Sequence, residues 1–250
     1  MKPINPDNLR SPLSLKINFK HLIIFLTISI ITLAIAHVFD ITLYRIAIDN
    51  NGFQKWQDSD SYRMLRIMGF LPFWIAVAIA IILHDTHKYL PKFNRTVCAS
   101  RGLLLIFTTV SAGIIAEIIK FLVRRMRPYK YYSDYLTPPT NSTHLYEYRP
   151  FNSTTHDFLD TGGLSFPSSH AIIAFAAAFI LAKLFPKTAP VLYLFAIGCA
   201  ITRILTRGHY LSDTVGSAIF AYAIAQTFYA WHLYNQRDLI RQNNNLPPIS

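Results

Sequence analysis

A short polar segment, 202–213, lies between two apolar stretches and carries residue types suited to nucleophilic and acid–base chemistry. Arg203, His209 and Asp213 are costly to place in membrane-type sequence, so their presence indicates that something polar is held there. If a helix begins at Ser212, Asp213 lies within reach of the imidazole of His209. It could then fix the tautomer of that ring and leave the other nitrogen free to react. The alternative is a surface loop with a snorkelling arginine and an interfacial histidine.

A row of cations lies at the end of the apolar segment 102–123 and just beyond it. Lys120 and Arg127 are one heptad apart, which places them only about 20° apart around a helix axis, and Arg124 lies between them. We therefore expect these cations to share one face of a helix that Pro128 ends. Cations on one stripe repel each other unless an anion joins them. The alternative is a positive helix end that faces lipid headgroups.

A third polar group lies at the start of the apolar segment 169–185. Ser168 or Ser169 can cap the helix that begins there, and the free N–H groups of a helix N-terminus bind anions readily. His170, in the first turn, would lie beside such an anion. The alternative is an ordinary N-cap followed by an interfacial histidine.

The composition is that of a membrane protein rather than a soluble enzyme. The chain has 250 residues, of which 52% are hydrophobic and only 15% charged, and its mean hydropathy is +0.29. The formal net charge of +11 favours an anionic lipid or a phosphate as partner, since no nucleic-acid-binding motif occurs. The positions of Cys98 and Cys199 do not indicate a disulfide framework. No metal-binding or nucleotide-binding signature appears, so we expect neither a metal nor a cofactor.

The hydrophobic pattern predicts an all-α fold: a polytopic membrane protein with six transmembrane helices in one domain, 22–233. The predicted spans are 22–39, 67–83, 102–123, 169–185, 191–205 and 213–233. The first span contains Ala34-Ile35-Ala36, which resembles a signal-peptidase site. Its apolar region is longer than a signal core, which favours an uncleaved helix. The longest connection, 124–167, is expected to be a functional extracytoplasmic loop.

An even number of spans puts both tails, 1–21 and 234–250, on one side of the membrane. That side carries many lysines and arginines outside the three polar groups, so the positive-inside rule makes it cytoplasmic. The three polar groups then share the extracytoplasmic face. Their cations, their helix N-terminus and the histidines His170 and His209 together predict a phosphate-binding site.

Three motifs in this chain resemble the signature of the type 2 phosphatidic acid phosphatase family, K-x6-RP, PSGH and SR-x5-H-x3-D. They are Lys120-x6-Arg127-Pro128, Pro167-Ser168-Ser169-His170 and Thr202-Arg203-x5-His209-x3-Asp213. The resemblance covers residues 67–233, roughly from the second span to the last. Ser169 replaces the usual glycine and Thr202 the usual serine, while the cations, the histidines and the aspartate are all present.

The resemblance implies an integral membrane enzyme that hydrolyses a lipid phosphate without a metal. It makes His209 the nucleophile, which forms a phosphohistidine, Asp213 the residue that orients it, and His170 the general acid and then the base. The groups implied to hold the phosphoryl oxygens are Lys120, Arg127, Arg203 and the backbone around Ser168 and Ser169. Arg124 and Arg207 are candidates for contact with a second phosphate or a headgroup, or are membrane-surface cations.

The resemblance offers several lipid substrates in a bacterial inner membrane: undecaprenyl pyrophosphate, phosphatidylglycerol phosphate, phosphatidic acid and the lipid A phosphates. The aromatic-rich loop 129–165 is expected to shape the choice. Three other functions would use the same features: a lipid phosphotransferase that employs His209, a transporter or lipid-binding membrane protein, and a vanadate haloperoxidase. The last class is soluble, and the hydropathy argues against it.

Overall fold

Helices make up nearly all the regular structure of the described chain. The computed structural model describes residues 19–49, 56–89, 95–128, 148 and 161–243. Its helices are α1 (Phe19–Asp49), α2 (Asp60–Ile67), α3 (Leu71–Tyr89), α4 (Arg95–Val123), α5 (Ser169–Leu184), α6 (Ala189–Leu205) and α7 (Leu211–Asn243), with a 3₁₀ turn at Pro186–Thr188. The β pairing found within these residues consists of two isolated bridges. The all-α prediction is confirmed.

Among the described residues, three helices contain segments long and apolar enough to cross a membrane. They are α1, α4 and α6, through Phe19–Ala47, Val97–Val123 and Pro186–Leu205. The pair α2 and α3, bent by 65° between its members, is a fourth candidate. α5 has 16 residues, fewer than the roughly 20 that cross a hydrocarbon core, and α7 mixes polar with apolar residues. The chain is an integral membrane protein, and the six-span arrangement stays a prediction.

The segment 40–66, predicted as a polar loop, is largely helical where the structure describes it. α1 continues to Asp49 because buried residues recur along it at helical spacing, namely Ala36, Asp40, Tyr44 and Ala47. α2 follows, and Ser59 caps it by accepting a hydrogen bond from the N–H of Tyr62 at 3.3 Å. In the sequence, the polar Asp40 follows an apolar segment and suggests that the helix ends there. In the structure, its side chain is buried inside the bundle. α7 likewise continues past the predicted end of the last span, to Asn243.

The central helix is α5, which packs against α4, α6 and α7. Its buried residues are mostly alanines: Ala171, Ala174, Ala176, Ala177, Ala178 and Ala182. Small side chains allow helices to approach closely in a membrane protein, where packing rather than hydrophobic burial drives association. Contacts on several sides therefore hold the N-terminus of α5 at one end of the bundle.

Directly after α4, the backbone pairs with the segment that precedes α5. The helix ends at Val123, and Arg124 has a φ of 55°. The next residues run antiparallel to 163–165: the N–H of Arg127 donates to the carbonyl of Gly163 at 2.9 Å, and that of Ser165 to Arg125 at 2.6 Å. The expectation that Pro128 ends this helix, with the cations on one helical stripe, was wrong. The left-handed residue ends the helix earlier, and backbone pairing then positions Arg127.

Candidate active site

The three predicted polar groups meet at one end of the bundle. The charges of Arg203, His209 and Lys120 each act on His170, and those of Arg203 and Arg127 act on His209. Lys120 lies on α4, His170 on α5 and Arg203 on α6. His209 lies in the loop between α6 and α7. A cluster of cations around two imidazoles is suited to binding a phosphoryl group.

Lys120 lies against the N-terminus of α5. Its Nζ donates to Glu117 Oε1 at 2.6 Å and forms a hydrogen bond with Ser169 Oγ. Ser169 Oγ in turn donates to Glu117 Oε1 at 2.8 Å, and Thr161 Oγ1 donates to Glu117 Oε2 at 2.9 Å. The serine that replaces the glycine of the motif therefore helps to position the lysine. Glu117, one helical turn from Lys120, was not among the predicted site residues, although this spacing was visible.

Arg203 is buried without a full set of hydrogen-bond partners among the described residues. Its side chain is 8% exposed, and its Nε has no hydrogen-bond partner in the described structure. A buried, unsatisfied guanidinium donor is costly unless an anion compensates it. Arg127 lies nearby and is oriented through its Nε, which donates to the carbonyl of Leu164 at 3.1 Å. This pair of arginines indicates where an anion would bind.

The helix N-terminus of α5 contributes fewer donors than expected. Ser168 caps the helix by accepting from Ala171 N, but its own N–H donates to Ser217 Oγ at 2.9 Å. Within the described residues, the N–H groups of Ser169 and His170 have no such partner, so these two are the donors that could meet an oxyanion.

His209 is buried, with 3% of its surface exposed. Its Nδ1 lies 2.8 Å from the carbonyl oxygen of Ser165 and 3.6 Å from Asp213 Oδ2. Because a carbonyl can only accept, the hydrogen belongs on Nδ1 and the lone pair on Nε2. The expected partner of the ring was Asp213, so the Ser165 carbonyl is a contact that the sequence did not indicate.

Burial lowers the pKa of His209 from its ordinary value to about 4. Asp213 opposes this shift, whereas the charges of Arg203 and Arg127 add to it. The imidazole is therefore neutral near pH 7, as a nucleophile must be.

Asp213 is held through both of its oxygens. Oδ2 accepts from the N–H of Tyr210 at 2.8 Å, and Oδ1 accepts from Arg125 Nη1 at 2.8 Å. Arg125 also donates from Nη2 to Asp40 Oδ2 at 2.9 Å. Burial alone would lower the pKa of Arg125, but the carboxylates of Asp213 and Asp40 raise it above its ordinary value. Neither Arg125 nor Asp40 was a predicted site residue.

His170 lies in the first turn of α5 and is packed against the turn between α2 and α3. A Cβ placed on Gly69 would lie 2.5 Å from His170 Cβ, so only glycine allows this approach. Arg66 of α2 also acts electrostatically on His170 and on Arg203. It is a further cation near the site that sequence motifs did not reveal.

The two candidate headgroup contacts differ in their surroundings. Arg124 is buried, with 2% of its surface exposed, which argues against contact with a headgroup at the membrane surface. Its φ of 55° lies in the left-handed region, directly after the end of α4. Arg207 is partly exposed beside the site and stays a candidate. Of the predicted substrate-selecting loop, residues 129–147 and 149–160 lie outside the described part of the chain.

Comparison with known proteins relates the chain to one family. The model of the PAP2 superfamily matches residues 101–237, more than half of the chain. A lipid A 1-phosphatase of Rhizobium johnstonii is 32% identical over 121 residues, which cover 48% of this chain and 43% of that protein. A lipid A 1-phosphatase of Rhizobium etli is 31% identical over 121 residues, covering 48% and 45%. The chain thus spans less than half the length of these relatives.

One solved structure also matches. It is the crystal structure of a transmembrane PAP2-type phosphatidylglycerolphosphate phosphatase from Bacillus subtilis, which is 15% identical in sequence. The match covers 81% of this chain and 96% of that one, with a TM-score of 0.39, too low to support an argument about the fold.

Proposed function

Because the chain belongs to the PAP2 superfamily, as its three motifs predicted, we propose that it is a membrane lipid phosphatase that works through a phosphohistidine. One observation carries this proposal: His209, with Nδ1 2.8 Å from the Ser165 carbonyl, lies beside a buried arginine, Arg203, whose Nε is unsatisfied in the described structure. A neutral nucleophile next to uncompensated positive charge suits attack on a phosphoryl group.

The reaction proceeds in two displacements at phosphorus. Nε2 of His209 forms a bond to phosphorus while the bond to the lipid oxygen breaks. His170, protonated once the bound phosphate offsets the cations around it, gives a proton to that leaving oxygen. Water then attacks phosphorus and passes a proton to His170, and Nε2 departs as phosphate is released. Lys120, Arg127 and Arg203 hold the phosphoryl oxygens, and the N–H groups of Ser169 and His170 add two neutral donors.

Asp213 acts on the charged intermediate. Its Oδ2, 3.6 Å from His209 Nδ1, faces the ring that becomes cationic when phosphorus is attached. A carboxylate at that distance in a dry site stabilises the positive charge. Because this oxygen also accepts from the N–H of Tyr210, the same aspartate fixes the loop that carries His209.

A groove beside the site favours a lipid over a soluble substrate. It has a volume of about 450 Å³ and runs between α1, α5, α6 and α7. Its apolar lining includes Phe25, Phe175, Ile204, Leu211 and Tyr222. Ile204 adjoins Arg203, and Leu211 is two residues from His209, so a hydrocarbon chain in the groove would leave its phosphate at the cations.

The substrate is a phosphomonoester or diphosphate of a membrane lipid, and the two Rhizobium relatives make lipid A the first to test. The other lipids of the panel are phosphatidylglycerol phosphate, undecaprenyl pyrophosphate and phosphatidic acid. We place the site on the extracytoplasmic face of the inner membrane, with both termini in the cytoplasm, on the distribution of lysine and arginine.

The test is phosphate release by purified protein in detergent across this lipid panel. We expect release from at least one lipid, no inhibition by EDTA, and a loss of several orders of magnitude in His209→Gln, because the nucleophile is gone. His87→Gln, which changes an exposed histidine at the other end of the bundle, serves as the matched control and should keep the full rate. Transfer of phosphate to a second lipid without release would identify a phosphotransferase, and a near wild-type rate in His209→Gln would refute the mechanism.

A further inference from the structure

A buried charged cluster behind the catalytic histidine joins Asp213, the last residue of the third motif, to Asp40 and Arg125, which no motif specifies. Asp40 is 1% exposed, Arg125 3%, Ser212 2% and Asp213 0%. Asp40 comes from α1, Arg125 from the segment after α4, and the other two from the first turn of α7. Three parts of the chain therefore bring their polar groups together in the interior, next to the loop that carries His209.

The guanidinium of Arg125 joins the two carboxylates. Nη1 donates to Asp213 Oδ1 at 2.8 Å and to Ser212 Oγ at 2.7 Å, while Nη2 donates to Asp40 Oδ2 at 2.9 Å. The face of the guanidinium lies 4.1 Å from the centre of the Tyr210 ring. The orientation of the guanidinium is fixed by these hydrogen bonds, which lie in its plane, and by the tyrosine ring above that plane.

Asp40 fixes the other side of the cluster. Its Oδ1 accepts from the N–H of Ser212 at 2.8 Å, and its Oδ2 accepts from Ser212 Oγ at 2.5 Å. The carboxylate of α1 thus caps the start of α7, the helix whose first turn carries Asp213. A shift of Asp40 would move both the guanidinium and the helix start.

We propose that Asp40 and Arg125 are positioning residues that hold Asp213 in place beside His209. Arg125 occupies one oxygen of Asp213 and the Tyr210 N–H occupies the other, so the carboxylate cannot rotate. It stays 3.6 Å from His209 Nδ1, where it meets the charge of the phosphorylated ring. This inference rests on the proposed function and adds α1 to the elements that serve the site.

The competing explanation is a buried ion pair that only fastens α1 to the bundle. Such pairs are often replaced by neutral side chains without loss of stability, whereas removal of one partner is costly. The two explanations therefore differ for a variant that removes both charges. Asp40→Asn/Arg125→Met also leaves Asp213 Oδ1 without its arginine partner, so the melting temperature should fall under either explanation. Only the positioning role predicts a lower rate in the folded protein.

The experiment measures kcat, KM and melting temperature for Asp40→Asn, Asp40→Glu and Asp40→Asn/Arg125→Met. We expect kcat to fall about tenfold or more in Asp40→Asn and in the double variant, with KM within about twofold, since a small misplacement of a catalytic group costs this much. Asp40→Glu, which keeps the carboxylate, should recover part of kcat. The matched control is Asp85→Asn, which breaks another buried pair at the far end of the bundle, where Arg101 Nε donates to Asp85 at 2.6 Å. It should lose stability but keep kcat.

The outcomes separate this inference from the proposed function. Phosphate release by the unaltered protein bears on the proposed function alone. If the protein releases phosphate and the folded double variant has a kcat within about twofold of it, the positioning role is overturned. An equal loss of kcat in Asp85→Asn and Asp40→Asn would overturn it as well, because the lower kcat would then result from the lower stability.

Discussion

The imidazole of His209 and the Ser165 carbonyl form the contact that decides the chemistry of the site at the scale of single residues. A hydrogen bond of 2.8 Å to a carbonyl places the hydrogen on Nδ1 and leaves the lone pair on Nε2, as the proposed nucleophile requires. Arg203 is buried near the ring, and its Nε has no partner among the described residues. Together these two residues explain why a histidine and an arginine interrupt apolar sequence at this point.

The protonation state of His209 can be tested directly. Burial lowers its pKa to about 4, so the native protein keeps this ring neutral at a pH of about 5.5, where a histidine of ordinary pKa is mostly charged. The unfolded chain binds that proton and the native state does not, so this residue lowers stability as the pH falls from about 6.5 towards 4.

The measurement is nitrogen NMR of histidine-labelled protein, with the His209 signals identified by their loss in His209→Gln. We expect a neutral Nδ1–H tautomer at a pH of about 5.5. A charged ring or the Nε2–H tautomer under these conditions would contradict the geometry.

At the scale of elements, the site depends on how closely α5 and the turn between α2 and α3 approach each other. Gly69 lies so near His170 that a Cβ would come within 2.7 Å of His170 Cα, a backbone atom that cannot move alone. His170, the proposed general acid, is thus held by a turn that carries none of the three motifs.

Gly69→Ala should therefore displace the first turn of α5 and lower kcat by about tenfold or more. Gly113→Ala is the matched control, because a Cβ there meets only Ile173, at an ordinary 3.7 Å, and its kcat should not change. Equal activity of the two variants would show that the approach at Gly69 does not position His170.

The sequence predicted the helices better than the contacts between them. The start of α5 at Ser169 and the end of α6 at Leu205 agree with the predicted span boundaries, because cap residues and charged residues mark them locally. The conformation of Arg124 could not be predicted in this way, since the pairing of 125–127 with 163–165 decides it. The role of Asp40 was equally hidden: it contacts Ser212, 172 positions away, and no local pattern reports such a contact.

At the scale of the whole molecule, the charged side chains at the two ends of the bundle differ in their partners. At the end far from His209, Arg101 is paired with Asp85 at 2.6 Å, and Lys183 lies over the ring of Tyr229 at 4.6 Å. At the other end, the described structure supplies no acceptor for Arg203 Nε. The buried arginine with an unsatisfied nitrogen thus lies at the end that holds His170 and His209, which is where an anionic headgroup would be recognised.

The central claim is that phosphate passes through His209, and trapping the intermediate tests it most directly. Protein mixed briefly with a lipid substrate labelled in its phosphate should be quenched in base, digested and mapped. Phosphohistidine survives base and is lost in acid. We predict label on the peptide that contains His209 and none in His209→Gln. Label on another residue, or phosphate release in the same samples with no label on His209, would contradict the account.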